Sequence, residues 1–161
     1  MKISSISKIS LVSVLLLAAF FINQRTYAHC EIPCGIFDDS VRVALIKEHI
    51  TTIEKSMNEI NALSSEADPN YNQLIRWVIN KEEHAKKIQD IVSQYFLHQR
   101  IKPVDPSDKE AYIKYQKQLE VLHHISVYAM KSKQSTDLKN IEILRAKVEE
   151  FEGMYFHTHD H

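Results

Sequence analysis

Residues 38–60 read DDSVRVALIKEHITTIEKSMNEI, and the spacing of their apolar positions decides the fold class. Val43, Ile46, Ile50, Ile53, Met57 and Ile60 recur in steps of three and four. That spacing gathers them on one face of an α-helix, whereas in a strand it would scatter them over both faces. The stretch therefore predicts a long amphipathic helix beginning at Asp39. Asp38, Asp39 and Ser40 supply short side-chain oxygens for the unpaired amides of its first turn, and negative charge where the helix dipole favours it.

The same period continues downstream. Ser64 and Ser65 begin a polar break, and Asp68-Pro69 opens a second helix with proline near its first turn. This helix is expected over about 69–98, with Leu74, Val78, Ala85, Ile88, Val92 and Tyr95 inward and Trp77 and Phe96 flanking the stripe. Residues 100–106 contain two prolines and read as a loop. Ser107-Asp108-Lys109-Glu110 has the form of a capping box, with Ser107 as cap and Glu110 reaching back. A third helix runs to about Lys131 through Tyr112, Tyr115, Leu119, Leu122, Ile125 and Ala129. A fourth runs over about 136–155 through Leu138, Ile141, Leu144, Val148 and Phe151. Four amphipathic helices, short connections, two glycines and no strand pattern predict an all-α fold, an antiparallel four-helix bundle over 39–156.

Upstream of the stripe lies His29-Cys30-Glu31-Ile32-Pro33-Cys34-Gly35-Ile36-Phe37-Asp38, which holds both cysteines of the protein and one of its two glycines. Before it, residues 1–28 read as a secretory signal: Lys2 and Lys8 form a basic start, 11–22 is an apolar run, and Thr26-Tyr27-Ala28 is a small-x-small cleavage site. Export to a periplasm or the cell exterior is the expectation, with His29 as the mature N-terminus and no membrane attachment once the signal is gone. The remaining 133 residues suit one domain. Three of the 20 Lys+Arg (Lys2, Lys8, Arg25) leave with the signal, so 17 face 21 Asp+Glu, a formal charge of −4. No basic bias points to nucleic acid.

A free His29 offers an amine and an imidazole, followed by the Cys30 amide and two thiols, five potential donors within six residues. Closing chelate rings through the amide requires that it lose its proton, and nickel(II) and copper(II), which favour tetragonal nitrogen and sulfur sites, can drive that loss. Zinc prefers a tetrahedral set, and only two thiols and one imidazole are at hand. Pro33 fixes φ and Gly35 permits φ > 0, so the segment is expected to fold back as a hook. The competing reading is a C-x₃-C disulfide in an exported protein. Closing so short a loop would restrain little of the unfolded chain, and its value to stability would be small.

His29-Cys30-x-x-Pro33-Cys34-Gly35-x-x-Asp38 resembles the nickel hook of the nickel-containing superoxide dismutase family. The resemblance implies that the His29 amine, the Cys30 amide and the Cys30 and Cys34 thiolates form a square plane, with the His29 imidazole axial in the oxidised state. It further implies one nickel per subunit, alternating between Ni(II) and Ni(III) as superoxide is converted to hydrogen peroxide and dioxygen. It implies a four-helix bundle that assembles as a homohexamer. Lys81-Glu82 followed by Ala85, and Tyr95-Phe96, resemble the family's corresponding helix, and Tyr95 matches a tyrosine close to the metal, hence a catalytic candidate. Two departures stand out. Phe37 replaces a family tyrosine whose hydroxyl orders small molecules above the metal, and Ala44 and His84, with Glu48 one turn away, occupy the places of the glutamate and arginine that orient the axial imidazole.

Weaker features remain. Glu120-Val121-Leu122-His123 has the E-x-x-H form of di-iron bundles without a second copy, so a solvated or interfacial pair is expected, and His123-His124 reads likewise. Tyr112, Tyr115 and Tyr128 default to the core, with subunit contacts as the alternative. The tail His157-Thr158-His159-Asp160-His161 alternates histidines that would converge on a metal in an extended segment, or is a disordered terminus. The alternatives to the enzyme are an exported nickel or copper carrier without turnover and a structural bundle with a disulfide.

Overall fold

The computed structural model of the chain describes residues 37–156. The expected signal over 1–28, the donors His29, Cys30 and Cys34, and the histidine tail 157–161 lie outside these residues. Four helices follow one another: α1 (Asp39–Ser64), α2 (Tyr71–Asp90), α3 (Lys109–Gln134) and α4 (Lys139–Phe156), with a π-helical segment, Ile91–Arg100, continuing α2. All described residues are helix or connection, as the spacing of apolar residues predicted.

The six stripe residues of α1 are all buried, together with Ser56. They meet Ala85, Ile88, Val92, Tyr95 and Phe96 from the second helical stretch, Val121, Leu122, Ile125 and Ala129 from α3, and Ile141, Leu144, Val148, Phe151 and Tyr155 from α4. Each large aliphatic side chain removed from water contributes roughly 1.5–3 kcal/mol, so this stripe-on-stripe packing is what holds the bundle together. Asp38 caps α1, its carboxylate accepting from the Val41 amide at 3.2 Å and the Ser40 hydroxyl at 2.9 Å.

Several expectations need correction. The second helix does not run as α-helix to His98. It changes at Ile91 to i→i+5 winding, and the Ile101 amide accordingly bonds the Phe96 carbonyl at 2.8 Å. Phe96 does not flank the core but lies fully inside it, edge-on to Phe151 at 4.8 Å. The wider turn lets both Tyr95 and Phe96 face inward, which an α-helical stripe would not predict. Leu74 and Val78 are half-buried, because α3 ends beside Lys81: the Lys81 ammonium donates to the Ser132 carbonyl at 2.8 Å and to that of Lys133. The preceding part of α2 thus extends past the end of α3 and keeps α1 as its neighbour, with Asn80 donating to Ser56 at 3.0 Å and Lys55 over the Trp77 ring.

The cap of α3 is Asp108, which accepts from the Ala111 amide at 3.2 Å; Ser107 instead donates its amide to Asp105. A carboxylate one residue later outcompetes the hydroxyl for the free amides. Tyr112, Tyr115 and Leu119 are half-buried rather than core, and Val121 is added to it. α4 begins at Lys139 because Leu138 belongs to the preceding turn, its carbonyl accepting from Ile141 and Glu142.

Candidate functional site

The described residues nearest in sequence to the predicted donors are Phe37, Asp38 and Asp39, and they meet an unusual concentration of polar and aromatic side chains. Asp39 was expected to help cap α1. Its carboxylate instead turns into the bundle, where three side chains from two other stretches converge on it with four hydrogen bonds. Arg100 donates through Nε at 3.1 Å and Nη2 at 2.7 Å, the Tyr155 hydroxyl donates at 2.7 Å, and the Tyr95 hydroxyl donates to the second carboxylate oxygen. The π-helical winding explains the pairing of Tyr95 with Arg100. In an α-helix residues five apart lie about 140° apart around the axis, whereas the wider π turn brings them toward one side.

Burial works against the Asp39 charge, but hydrogen bonds from Arg100, Tyr95 and Tyr155 outweigh it and hold the carboxyl below its ordinary range. The same contacts act in reverse on the phenols. Tyr95 is pushed up to about 12 by burial and by donation to Asp39, and Tyr155 to about 12 for the same two reasons. Donation to Asp39 likewise holds the Arg100 guanidinium protonated. At neutral pH the site is therefore one carboxylate, one guanidinium and two phenols that keep their protons.

Aromatic contacts extend this cluster to the start of the described chain. Phe37, 47 % exposed, meets the Tyr95 ring edge-on with centroids 6.3 Å apart, and the Arg100 guanidinium lies 4.3 Å from its ring centre. Arg42 lies over the Tyr95 ring at 5.0 Å. The backbone three residues after Cys34 thus enters a fixed arrangement anchored to the far end of the chain.

Of the predicted site residues, Tyr95 is buried and its hydroxyl donates to Asp39. His84, in place of the family arginine, lies against His49, their Nδ1 atoms 3.1 Å apart. Ala44 and Glu48 are exposed. Glu120 and His123 are exposed too, in keeping with a solvated pair. Among the described residues no group of three or more His, Cys, Asp or Glu side chains is placed to hold a metal. Sequence reasoning missed Asp39, Arg100 and Tyr155. Their only signal was a second acid after the capping one, since partners 61 and 116 residues away are set by the tertiary fold.

The donor set fits nickel on chemical grounds, as two thiolates, an amide, an amine and an imidazole combine soft sulfur with strong nitrogen donors. The family model for nickel-containing superoxide dismutase matches residues 24–159, which include 29–38 and all four helices. No curated protein and no solved structure matches the chain.

Proposed function

The chain belongs to the nickel-containing superoxide dismutase family, and from that premise we propose that His29, Cys30 and Cys34 hold its nickel once residues 1–28 have been removed. The enzyme is an oxidoreductase that converts superoxide to hydrogen peroxide and dioxygen with a nickel cofactor. Nickel bound at these residues supplies a one-electron Ni(II)/Ni(III) couple. The observation that carries the ligand assignment is that the family match runs through the one segment containing both cysteines, directly after a stretch with the form of a secretory signal.

The remaining residues act by positioning. Asp39 ties the first turn of α1 to Tyr95, Arg100 and Tyr155, so the segment leading from Cys34 starts from a rigid base. Tyr95 supports Phe37 through its ring and, with its phenol committed to Asp39, is not the proton source at neutral pH. Arg100 stands over Phe37 with its charge balanced by Asp39, and Arg42, over the Tyr95 ring, adds a positive charge to the same aromatic cluster, a favourable field for an anionic substrate.

Export and assembly as a homohexamer complete the reading. Tyr71, Ile75 and Ile79, spaced four apart on one face of α2, are each more than half exposed, as is Ile113 on α3. Apolar side chains grouped in this way favour subunit contacts. No described helix is long and apolar enough to cross a membrane.

The test is to load nickel into the chain beginning at His29 and into its Cys30→Ser and Cys34→Ser variants. Both variants should lose superoxide consumption while keeping the helical signal, because the core is built from the helix stripes. Substantial consumption by either would overturn the assignment.

A further inference from the structure

His49 on α1 and His84 on α2 lie outside the Asp39 cluster, and the nickel ligand set of His29, Cys30 and Cys34 includes neither. Their Nδ1 atoms are 3.1 Å apart, their ring centroids 4.9 Å apart, and the ring planes stand at 81°. Both rings are half-buried, and neither has another hydrogen-bond partner among the described residues. The backbones beneath them are fixed, since the neighbours Ile50 and Ala85 are fully buried. We propose that His49 and His84 form a second cation site, a two-imidazole clamp across α1 and α2 for a divalent transition ion of the nickel, copper and zinc group, with water in the remaining positions.

A shared ion at the usual metal–imidazole distance of about 2.0 to 2.1 Å would span this 3.1 Å gap with an angle of roughly 100° at the metal, between octahedral and tetrahedral values. Two nitrogens already held at that spacing need only adopt the tautomer that frees both Nδ1 lone pairs. The protonation state is favourable as well. Burial, then the neighbouring His84, then Lys87 push His49 down to about 4, and burial and Lys87 lower His84 despite Glu83. Both imidazoles are neutral at pH 7, so the ion displaces no proton there. Lys87 is the charge opposed to a cation, and its exposed side chain is free to turn toward water. With no third acidic, histidine or cysteine ligand among the described residues, the site should exchange its ion readily, unlike a closed structural site.

Because the clamp joins two helices that separate on unfolding, an ion held there must raise the melting temperature, which binding to a terminal histidine tail would not do. The protein to use is the chain beginning at His29 with Cys30→Ser and Cys34→Ser, stripped of metal and titrated with zinc(II) and with nickel(II). At roughly a hundredfold excess over the dissociation constant, a rise of about 5 to 10 °C is expected. Adding His84→Ala, or separately His49→Ala, should abolish the rise while leaving the metal-free helical signal and melting temperature close to those of the parent. No rise in the parent, or a rise that survives in either histidine variant, would overturn the proposal.

Discussion

The Tyr155 hydroxyl at the end of α4 donates to the Asp39 carboxylate at the start of α1, 2.7 Å away and 116 residues earlier in the chain. This bond, with those from Arg100 and Tyr95, closes the bundle beside Phe37, where the described chain begins. A carboxylate spent in this way stabilises the fold and fixes the start of α1 at once. Its removal should therefore affect both.

Asp39→Ala leaves two phenols and a guanidinium without their acceptor in a half-buried setting. A loss of about 2 to 4 kcal/mol is expected, as for unmade hydrogen bonds to a charged group. Asp39→Asn keeps one acceptor oxygen and should cost less. Urea unfolding of the two variants beside the parent checks the order, and a parent-like midpoint for Asp39→Ala would contradict it.

The pH dependence has two limbs of opposite sign. Asp39 is depressed in the fold, so its contribution is complete above the ordinary carboxylate value of 3.8 and fades as pH falls through its lower folded value. Tyr95 and Tyr155 are raised, so theirs is complete below 10.0 and fades as pH rises through about 12. Unfolding midpoints should fall below about pH 4 and again between about pH 10 and 12. Asp39→Asn should flatten the acid limb, and Tyr95→Phe with Tyr155→Phe the alkaline one; equal slopes in parent and variants would contradict the assignment.

What the sequence revealed and what it hid divide along physical lines. The α1 stripe was readable in full, since a six-residue apolar face with charged flanks has one low-energy packing. The family was readable because the residues that carry the resemblance are contiguous. Phe96 was misplaced because π winding changes which residues share a face, and no local residue announced that change. Lysine is seldom buried, yet only 3 % of Lys81 is exposed, and nothing local announces it because the carbonyls it meets at the end of α3 are 51 and 52 residues away. Asp39 looked like a capping acid for the same reason: its partners come from the tertiary fold.

Phe37→Tyr restores a hydroxyl where the family has one, at an edge-exposed ring beneath Arg100. Metal content should stay unchanged and the rate should rise. A charge-assisted hydrogen bond to an anionic substrate is worth about 1.5 to 3 kcal/mol, or roughly tenfold to a hundredfold if it acts only in the transition state. Steady-state superoxide consumption of the two nickel-loaded proteins checks this. An unchanged rate would mean that bound water already fills the role, and rates near zero in both would favour a metal carrier over the enzyme.

The proposed site holds nickel at a freshly exposed N-terminus. It is tested most directly by measuring nickel stoichiometry and superoxide consumption for a chain beginning at His29 and for one beginning at Ala28. The first should bind one nickel per subunit and consume superoxide. The second, with a peptide nitrogen where the His29 amine would be, should bind nickel far more weakly and show no comparable turnover. Equal affinity, spectrum and rate in the two chains would contradict the account.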